Sequence, residues 1–349
     1  MRKIRAFAAA ALTGASLACL VPAGPAGAQT AEKRAPLSPP VKIVVGTIGS
    51  ASDIGFFIAQ ERGYFKAEGL EVKIELLGSA TKMMPALATN DLQVASGGLN
   101  AGLINAIARD IPLRIVADKG TLVPGSGYQT FLVRKELAGK VRDYGDLKGL
   151  SIASSGGAIT TDSVVINKAL QRGGLTIKDV KIVDLRFPDM VTALAKGAVD
   201  MALIIEPFAT RAIDQDVAVR WKNADEITPN LQLAAVFYGP KFMSDQPEAA
   251  KRFMLAYVRA IRDYNDEFLK GGNKEAIIAI LTKNTPIKDA GIYRRIVPPA
   301  INPNAELNIE SIKESLDAWV GRGVVERVDI GKLVDTQYLR YAWEQLGKK

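Results

Sequence analysis

The sequence predicts an α/β fold with two α/β domains, joined by two crossover strands and separated by a cleft. Two observations predict it: short strands alternate with helices along the chain, and this alternation stops near residue 128 and then starts again. Such alternation favours mostly parallel sheets that carry helices on their faces. The chain has 349 residues, enough for two units of about 100 residues or more that each bury a core.

The first series of elements begins with two predicted strands. Residues 41–46 form an apolar run typical of a buried strand, and residues 70–76 alternate as a half-buried strand does. The series is completed by helices at 56–61, 82–88 and 101–108 and by strands at 92–95 and 113–117.

A second series follows, bounded by two extended runs at 128–133 and 233–238 that have no helix of their own before them. Its strands are predicted at 150–153, 180–183, 201–205 and 217–220, and its helices at 161–171, 190–196 and 207–213. The extended runs are interpreted as crossovers, and the helical tail from Pro240 as a return over the first unit. Domain one is therefore predicted at 41–130 plus 237–349, and domain two at 131–236. Two crossings form a hinge, around which such domains close on a ligand.

The first residues predict export. A cationic start, a short apolar core and Ala26-Gly27-Ala28 are the three parts of a signal peptide at 1–28. Its removal takes away Arg2, Lys3 and Arg5, which lowers the net charge from +8 to +5. A lipid anchor at Cys19 is not expected, and residues 29–40, with three prolines, are predicted to be a flexible leader. We expect a periplasmic protein.

The composition excludes several classes of chemistry. The chain has no histidine, and its single cysteine lies in the predicted signal peptide. Disulfides, thiol nucleophiles, cysteine or histidine zinc sites and Ser-His-Asp triads are therefore excluded from the mature protein. A carboxylate-based or lysine-based enzyme stays open. The mild positive charge has no dense basic run, so we expect no nucleic-acid partner, and we expect no cofactor and no metal.

Small and hydroxylated residues follow the predicted strands, where open α/β sheets bind ligands. The loop 154–162 combines free N–H groups with a helix start, which favours an anion or carboxylate contact over helix capping. Ser52, Asp53, Asp189 and Glu206 fit a helix cap as well as a ligand contact. The predicted ligand-binding residues are Ser50, Ala51, Ser52, Asp53, Ser79, Ala80, Thr81, Gly98, Asn100, Tyr128, Gln129, Ser155, Gly156, Thr160, Thr161, Pro188, Asp189, Glu206, Phe208 and Tyr238.

Residues 58–72 contain Gly63-Tyr64-Phe65 followed by Glu68-Gly69-Leu70. This segment resembles a motif of periplasmic binding proteins for sulfonates, taurine, nitrate and thiamine-pyrimidine precursors. Further segments of the same family match in order at 90–95, 146–149, 193–201 and 205–208. The motif also has a physical role: glycines end a helix and turn the chain, and the aromatic pair is expected to pack in the core.

The resemblance implies a type II periplasmic-binding fold and a monomer without enzymatic activity that delivers a small molecule to the permease of an ABC importer. The ligand stays open among sulfonate-, nitrate-, carboxylate- and pyrimidine-like compounds. One alternative is a sensing partner of a membrane receptor. The other is an enzyme on the same fold, although the desulfinase and pyrimidine synthase of similar fold use cysteine or histidine chemistry.

Overall fold

The computed structural model describes residues 35–349, so the predicted signal peptide and the start of the leader lie outside the described residues. In this part of the chain, ten strands form two five-stranded sheets. The strands are β1 Val41–Thr47, β2 Leu70–Leu76, β3 Val94–Gly98, β4 Arg114–Thr121, β5 Gln129–Arg134, β6 Ser151–Ser154, β7 Lys181–Asp184, β8 Met201–Ile205, β9 Ala218–Asn223 and β10 Gln232–Tyr238.

Helices cover both sheets and make up most of the tail. They are α1 Ile54–Glu61, α2 Tyr64–Ala67, α3 Ala80–Thr89, α4 Ala101–Ala108, α5 Thr161–Arg172, α6 Phe187–Ala195, α7 Phe208–Asp214, α8 Ala224–Ile227, α9 Pro240–Asp245, α10 Pro247–Tyr264, α11 Lys274–Asn284, α12 Ala290–Arg295, α13 Ile309–Gly321, α14 Ile330–Leu333 and α15 Gln337–Leu346. Single 3₁₀ turns lie at Ala51–Asp53, Lys135–Leu137, Tyr144–Leu147, Gly157–Ile159 and Ile177–Asp179, and a π-helical turn at Asn265–Leu269.

The two sheets share one pattern. Lobe one contains the sheet β2-β1-β3-β10-β4, and lobe two contains the sheet β7-β6-β8-β5-β9. In each lobe three strands run parallel, and the fourth in the order is antiparallel to both its neighbours. The predicted α/β fold is confirmed, but each sheet is mixed because β5 and β10 enter from the opposite lobe.

Two segments connect the lobes, residues 122–128 before β5 and residues 224–231 before β10. The extended runs predicted as crossovers are therefore strands of the sheets, and each follows a crossing segment. All of β10 pairs within lobe one. The domain bounds predicted from the sequence stay a prediction.

The tail packs on lobe one through aromatic side chains of α10. Phe65 stacks on Phe253 with ring centroids 4.8 Å apart, and Phe56 contacts Tyr257 at 5.0 Å. Phe65 of the glycine-aromatic motif is buried, as expected from its size. This packing fixes the start of α1, and with it the loop that follows β1.

The described end of the leader lies against lobe one. The amide of Leu37 donates to the carbonyl of Glu68 at 3.2 Å, and the Arg252 guanidinium donates to the carbonyl of Ala35 at 2.6 Å. A Cβ atom at Gly69 would lie 2.1 Å from the backbone of Leu37, and Gly69 has a φ of +75°. Only glycine allows this turn and this close approach.

Asp118 joins β4, β10 and the tail. Its carboxylate accepts from the amide of Gly120 at 2.8 Å, from Nε2 of Gln232 at 2.7 Å and from the amide of Asn302 at 2.7 Å. Burial, only partly offset by these donors, raises the pKa of Asp118 to about 6.

A buried ion pair fixes the loop that follows β1. Nζ of Lys119, on β4, lies 2.9 Å from Oδ1 of Asp53, and the two side chains are 1% and 0% exposed. The second oxygen of Asp53 accepts from the amides of Gly49 and Ser50 at 2.9 and 2.8 Å. The loop is therefore held to β4 by a carboxylate whose charge is compensated.

The raised pKa of Asp118 predicts a pH dependence of stability. The folded protein binds this proton more tightly than the unfolded chain does, so the contribution is present at about pH 4 and is lost as the pH rises through about 6. Urea unfolding at about pH 3 and about pH 7, on either side of both pKa values, should show the stability difference between the wild type and Asp118→Asn change by about 3 kcal/mol. A difference that does not vary with pH would contradict this assignment.

Removal of one partner of the Lys119–Asp53 pair should destabilise more than removal of both. Lys119→Met leaves an unpaired buried carboxylate and should lower the free energy of unfolding by about 3–5 kcal/mol. Adding Asp53→Asn should restore part of that loss, because the asparagine oxygen still accepts from the loop amides. Urea denaturation of the two single variants and the double variant tests this coupling, and additive losses would disprove it.

Candidate functional site

A cavity lies between the two lobes, at the strand ends where the sequence predicts ligand contacts. Its volume is about 440 Å³, part of which is open to solvent. It is lined by Ile48, Ser52, Ala80, Thr81, Gly98, Lys119, Tyr128, Gln129, Ser155, Thr160, Thr161, Asp162, Phe187, Ile205, Leu233 and Ala234.

Most of the surface that the walls expose is apolar, although nine of the sixteen lining residues have polar side chains. Ile48 and Leu233 line the lobe-one side, whereas Phe187 and Ile205 line the lobe-two side. Small-molecule sites commonly combine an apolar wall with a small number of placed polar groups. The polar groups therefore decide what this cavity accepts.

On the lobe-one side the polar side chains are those of Ser52, Thr81 and Lys119. Nζ of Lys119 donates to Oγ of Ser52 at 2.9 Å and forms an ion pair with Asp53, in the 3₁₀ turn that follows β1. An ammonium group has three N–H donors, so one remains for a further partner.

On the lobe-two side the central group is Asp162, in the first turn of α5. One carboxylate oxygen accepts from the amide of Ser155 at 3.1 Å and from Oγ of Ser154 at 3.3 Å, and the other from Nε2 of Gln129 at 2.7 Å. Burial raises the pKa of Asp162 to about 6. Within residues 35–349, no ion pair involves this carboxylate.

Three buried polar atoms of the cavity lining have no hydrogen-bond partner among the described residues: Oγ1 of Thr81, the hydroxyl of Tyr128 and Oε1 of Gln129. Tyr128 and Gln129 are almost completely buried. Buried polar atoms in native proteins are nearly always paired, so such a group calls for a partner that enters the cavity. These atoms come from lobe one, from a crossing segment and from lobe two, so the missing partners belong to both sides of the cavity.

The structure brings several of the predicted site residues together at the cavity. These are Ser52, Ala80, Thr81, Gly98, Tyr128, Gln129, Ser155, Thr160 and Thr161. They share one property: each lies at or near the end of a strand, at the edge that faces the opposite lobe.

Other predicted residues support the loops without lining the cavity. Ser50, Ala51 and Asp53 are buried in the 3₁₀ turn after β1, and Ser79 precedes α3. The amide of Ala51 donates to the carbonyl of Glu206 at 3.2 Å.

Asn100 and Gly156 lie where the lobes touch. Asn100 caps α4 by accepting from the amide of Leu103 at 3.0 Å, and it forms a backbone bridge with Thr160. The amide of Gly156 donates to Asp184 at 2.8 Å.

The remaining predicted residues lie away from the cavity lining. Glu206 accepts from the amide of Thr210 at 3.0 Å within α7, and burial raises its pKa. Asp189 pairs with Arg186 at 2.7 Å on the surface. Three others are placed by packing: Pro188 in the first turn of α6, Phe208 in the core, and Tyr238 with its hydroxyl donating to Ala250.

Sequence reasoning missed Lys119, Asp162, Phe187 and four aliphatic lining residues, which are Ile48, Ile205, Leu233 and Ala234. Lys119 continues β4 beyond its predicted end at residue 117, and a lysine in such a strand is normally read as exposed. One sequence signal for the burial of Lys119 was present: the charged pair Asp118-Lys119 directly follows an apolar run.

The lobes also contact each other directly beside the cavity. Thr161 donates through its amide to the carbonyl of Leu99 at 3.0 Å and through Oγ1 to the carbonyl of Leu233 at 2.8 Å. From α13 and the residue that follows it, Trp319 donates to Oγ of Ser163 at 3.3 Å, and Arg322 to the carbonyl of Ala158 at 3.1 Å. These bonds close lobe two onto lobe one and onto the tail.

The described residues contain neither a helix that could cross a membrane nor a cluster of metal ligands. In residues 35–349 no helix has the length and apolar character needed to cross a bilayer. In the same range no group of three or more acidic residues is arranged to hold a metal ion.

Known proteins resemble this chain in sequence and in fold. The taurine-binding periplasmic protein of Escherichia coli is 24% identical over 277 residues, which cover 77% of this chain and 80% of that protein. The nitrate-binding protein NrtA of Synechocystis PCC 6803 superimposes with a TM-score of 0.74 at 16% identity, covering 90% of each chain. The desulfurization enzyme DSZB superimposes with a TM-score of 0.57 at 14% identity, covering 88% of this chain and 99% of that one.

The profile of the NMT1/THI5-like family matches residues 51–267, which include both sheets except β1. They include every residue of the cavity lining except Ile48. The chain belongs to the NMT1/THI5-like family.

Proposed function

We propose that this protein is an exported solute-binding protein that captures a small polar molecule between its lobes and delivers it to the permease of an ABC importer. The observation that carries the proposal is the interlobe cavity with unpartnered buried atoms on Thr81, Tyr128 and Gln129. A protein that only needed to be stable would fill or pair these positions. The similarity to periplasmic binding proteins supports the same function.

Closure around the two crossing segments provides the mechanism. A ligand that contacts both lobes favours the closed form by its differential affinity for that form. The bonds of Thr161 to Leu99 and Leu233 then form together with the ligand contacts. Only the closed form presents both lobes to the permease in one fixed arrangement, which links ligand occupancy to delivery.

The enzyme alternative has a weak chemical basis in this chain. The fold is shared with DSZB, whose name describes a desulfurization enzyme. The mature chain has neither cysteine nor histidine, and Nζ of Lys119 is paired with Asp53. A nucleophilic lysine needs a free amine, which this ion pair opposes. A sensing role would use the same closure and differs only in the membrane partner.

A ligand panel tests the proposal. Sulfonates, nitrate, carboxylates, pyrimidines and small amines are added to the exported protein, and thermal unfolding is followed. A ligand at 100 times its Kd should stabilise the folded state by about 2.7 kcal/mol. The compound that raises Tm should be recovered unchanged, whereas recovery of an altered compound would show an enzyme.

Gly98→Ala should hold the lobes apart. A Cβ atom at Gly98 would lie 2.9 Å from Oγ1 of Thr161, which is fixed by its bond to Leu233. Because only the closed fraction binds, the apparent Kd of the compound found in the panel should rise about ten-fold. The control is Gly139→Ala, where an added Cβ meets no atom within 4 Å.

The same variants can be compared without ligand. Spin labels on Lys73→Cys and Lys181→Cys, one exposed position on each lobe, should be farther apart in Gly98→Ala than in Gly139→Ala. Equal distances and equal Kd values in the two variants would rule out closure as the binding step.

A further inference from the structure

The loop after β1 has the backbone geometry of an anion site, but the chain fills this site itself. Two successive amides, of Gly49 and Ser50, point to one oxygen of Asp53. Successive N–H groups in such a turn bind anions in many proteins. Since Asp53 already occupies them, an anionic ligand would have to displace a buried carboxylate that is paired with Lys119.

The loop after β6 shows the same arrangement. The amide of Ser155 donates to Asp162, and the amide of Gly156 donates to Asp184. Asp162 also lies in the first turn of α5, where the helix dipole favours a negative charge. Two of the amides that the sequence suggested for a bound anion, those of Ser155 and Gly156, are therefore used by the chain's own carboxylates.

The charges around the cavity point to the same conclusion. Lys119 and Asp162 are the charged side chains of its lining, and Lys119 is compensated by Asp53. Arg322, the cation from the tail beside α5, directs its donors to Ser163 and Ala158. Asp162, once ionised, thus leaves one uncompensated negative charge in a place with little water, where a ligand charge interacts strongly.

Asp162 also decides which atom of the Gln129 amide is left without a partner. A carboxylate only accepts hydrogen bonds, so the amide of Gln129 must turn its Nε2 toward Asp162. Its oxygen Oε1 is then the buried atom without a partner. Because both residues line the cavity, an unpartnered acceptor lies beside a carboxylate in its wall.

Resting on the proposed function, we infer that the ligand is a small organic cation, an ammonium or amidinium compound, that donates N–H to Oε1 of Gln129 beside Asp162. Its apolar part packs against Phe187, Ile205 and Leu233. Asp162 is the positioning residue that sets both the charge preference and the orientation of Gln129. Free sulfonates, nitrate and carboxylates are rejected by the same carboxylate.

The test compares ligands that share a four-carbon chain and differ in charge. The exported protein is titrated calorimetrically with butylammonium, butanesulfonate and γ-aminobutyrate at equal ionic strength. Butylammonium should bind at least about ten-fold more tightly than butanesulfonate, as expected for loss of a charge-assisted hydrogen bond. Asp162→Asn should weaken butylammonium by about ten-fold or more and should not weaken butanesulfonate.

Two further variants keep the result interpretable if Asp162→Asn fails to fold. Gln129→Met removes the acceptor without changing the charge and should weaken butylammonium alone. Asp189→Asn removes a surface carboxylate of the same lobe, on α6, and should leave every affinity unchanged.

Opposite outcomes overturn the inference. Tighter binding of butanesulfonate, tighter binding of γ-aminobutyrate, no binding of any of the three, or equal affinities in wild type and Gln129→Met would each do so. These outcomes differ from failure of the proposed function. If only the inference failed, another compound of the panel would still bind and would be recovered chemically unchanged. If the function itself failed, a bound compound would be altered, or its binding would not respond to Gly98→Ala.

Discussion

Two buried carboxylates, Asp53 in lobe one and Asp162 in lobe two, determine the shape of the cleft. A buried carboxylate is stable only when donors surround it, and each of these obtains its donors from the loop that follows a central strand. The loops are thereby drawn into fixed turns, and the strand ends face each other across the cavity. Neither loop could keep its conformation if its carboxylate were lost and the amides were left unpaired.

The two carboxylates differ in how their charge is balanced. This difference separates a structural role, for Asp53, from a ligand-binding role, for Asp162. Asp53 has Lys119 as a counter-ion and contributes mainly to structure. Asp162 has hydrogen-bond donors but no ion pair within the described residues, and its burial raises its pKa to about 6. Proteins commonly accept such local costs where a ligand later supplies the missing partner.

Fold similarity restricts the function less than these groups do. The same architecture is found in a nitrate-binding protein and in a desulfurization enzyme. The fold determines that the site forms at the strand ends between the lobes. The chemistry of the site depends on the side chains that lie there. In this chain the lining combines an apolar wall with acceptors, and that combination is a property of its own residues.

The sequence by itself determined the secondary structure and the edge of the sheets at which the cavity forms, because periodicity and turn residues are local signals. It also determined that the chain has no histidine and that residues 35–349 contain no cysteine. Within the loops it could not separate Thr81, which lines the cavity, from Asp189, which pairs with Arg186 on the surface. Only the tertiary structure decided that Lys119 is buried against Asp53 and that Asp162 turns the amide of Gln129. These contacts join residues 66 and 33 positions apart, since the partners of a buried charge are chosen by packing and not by neighbours in sequence.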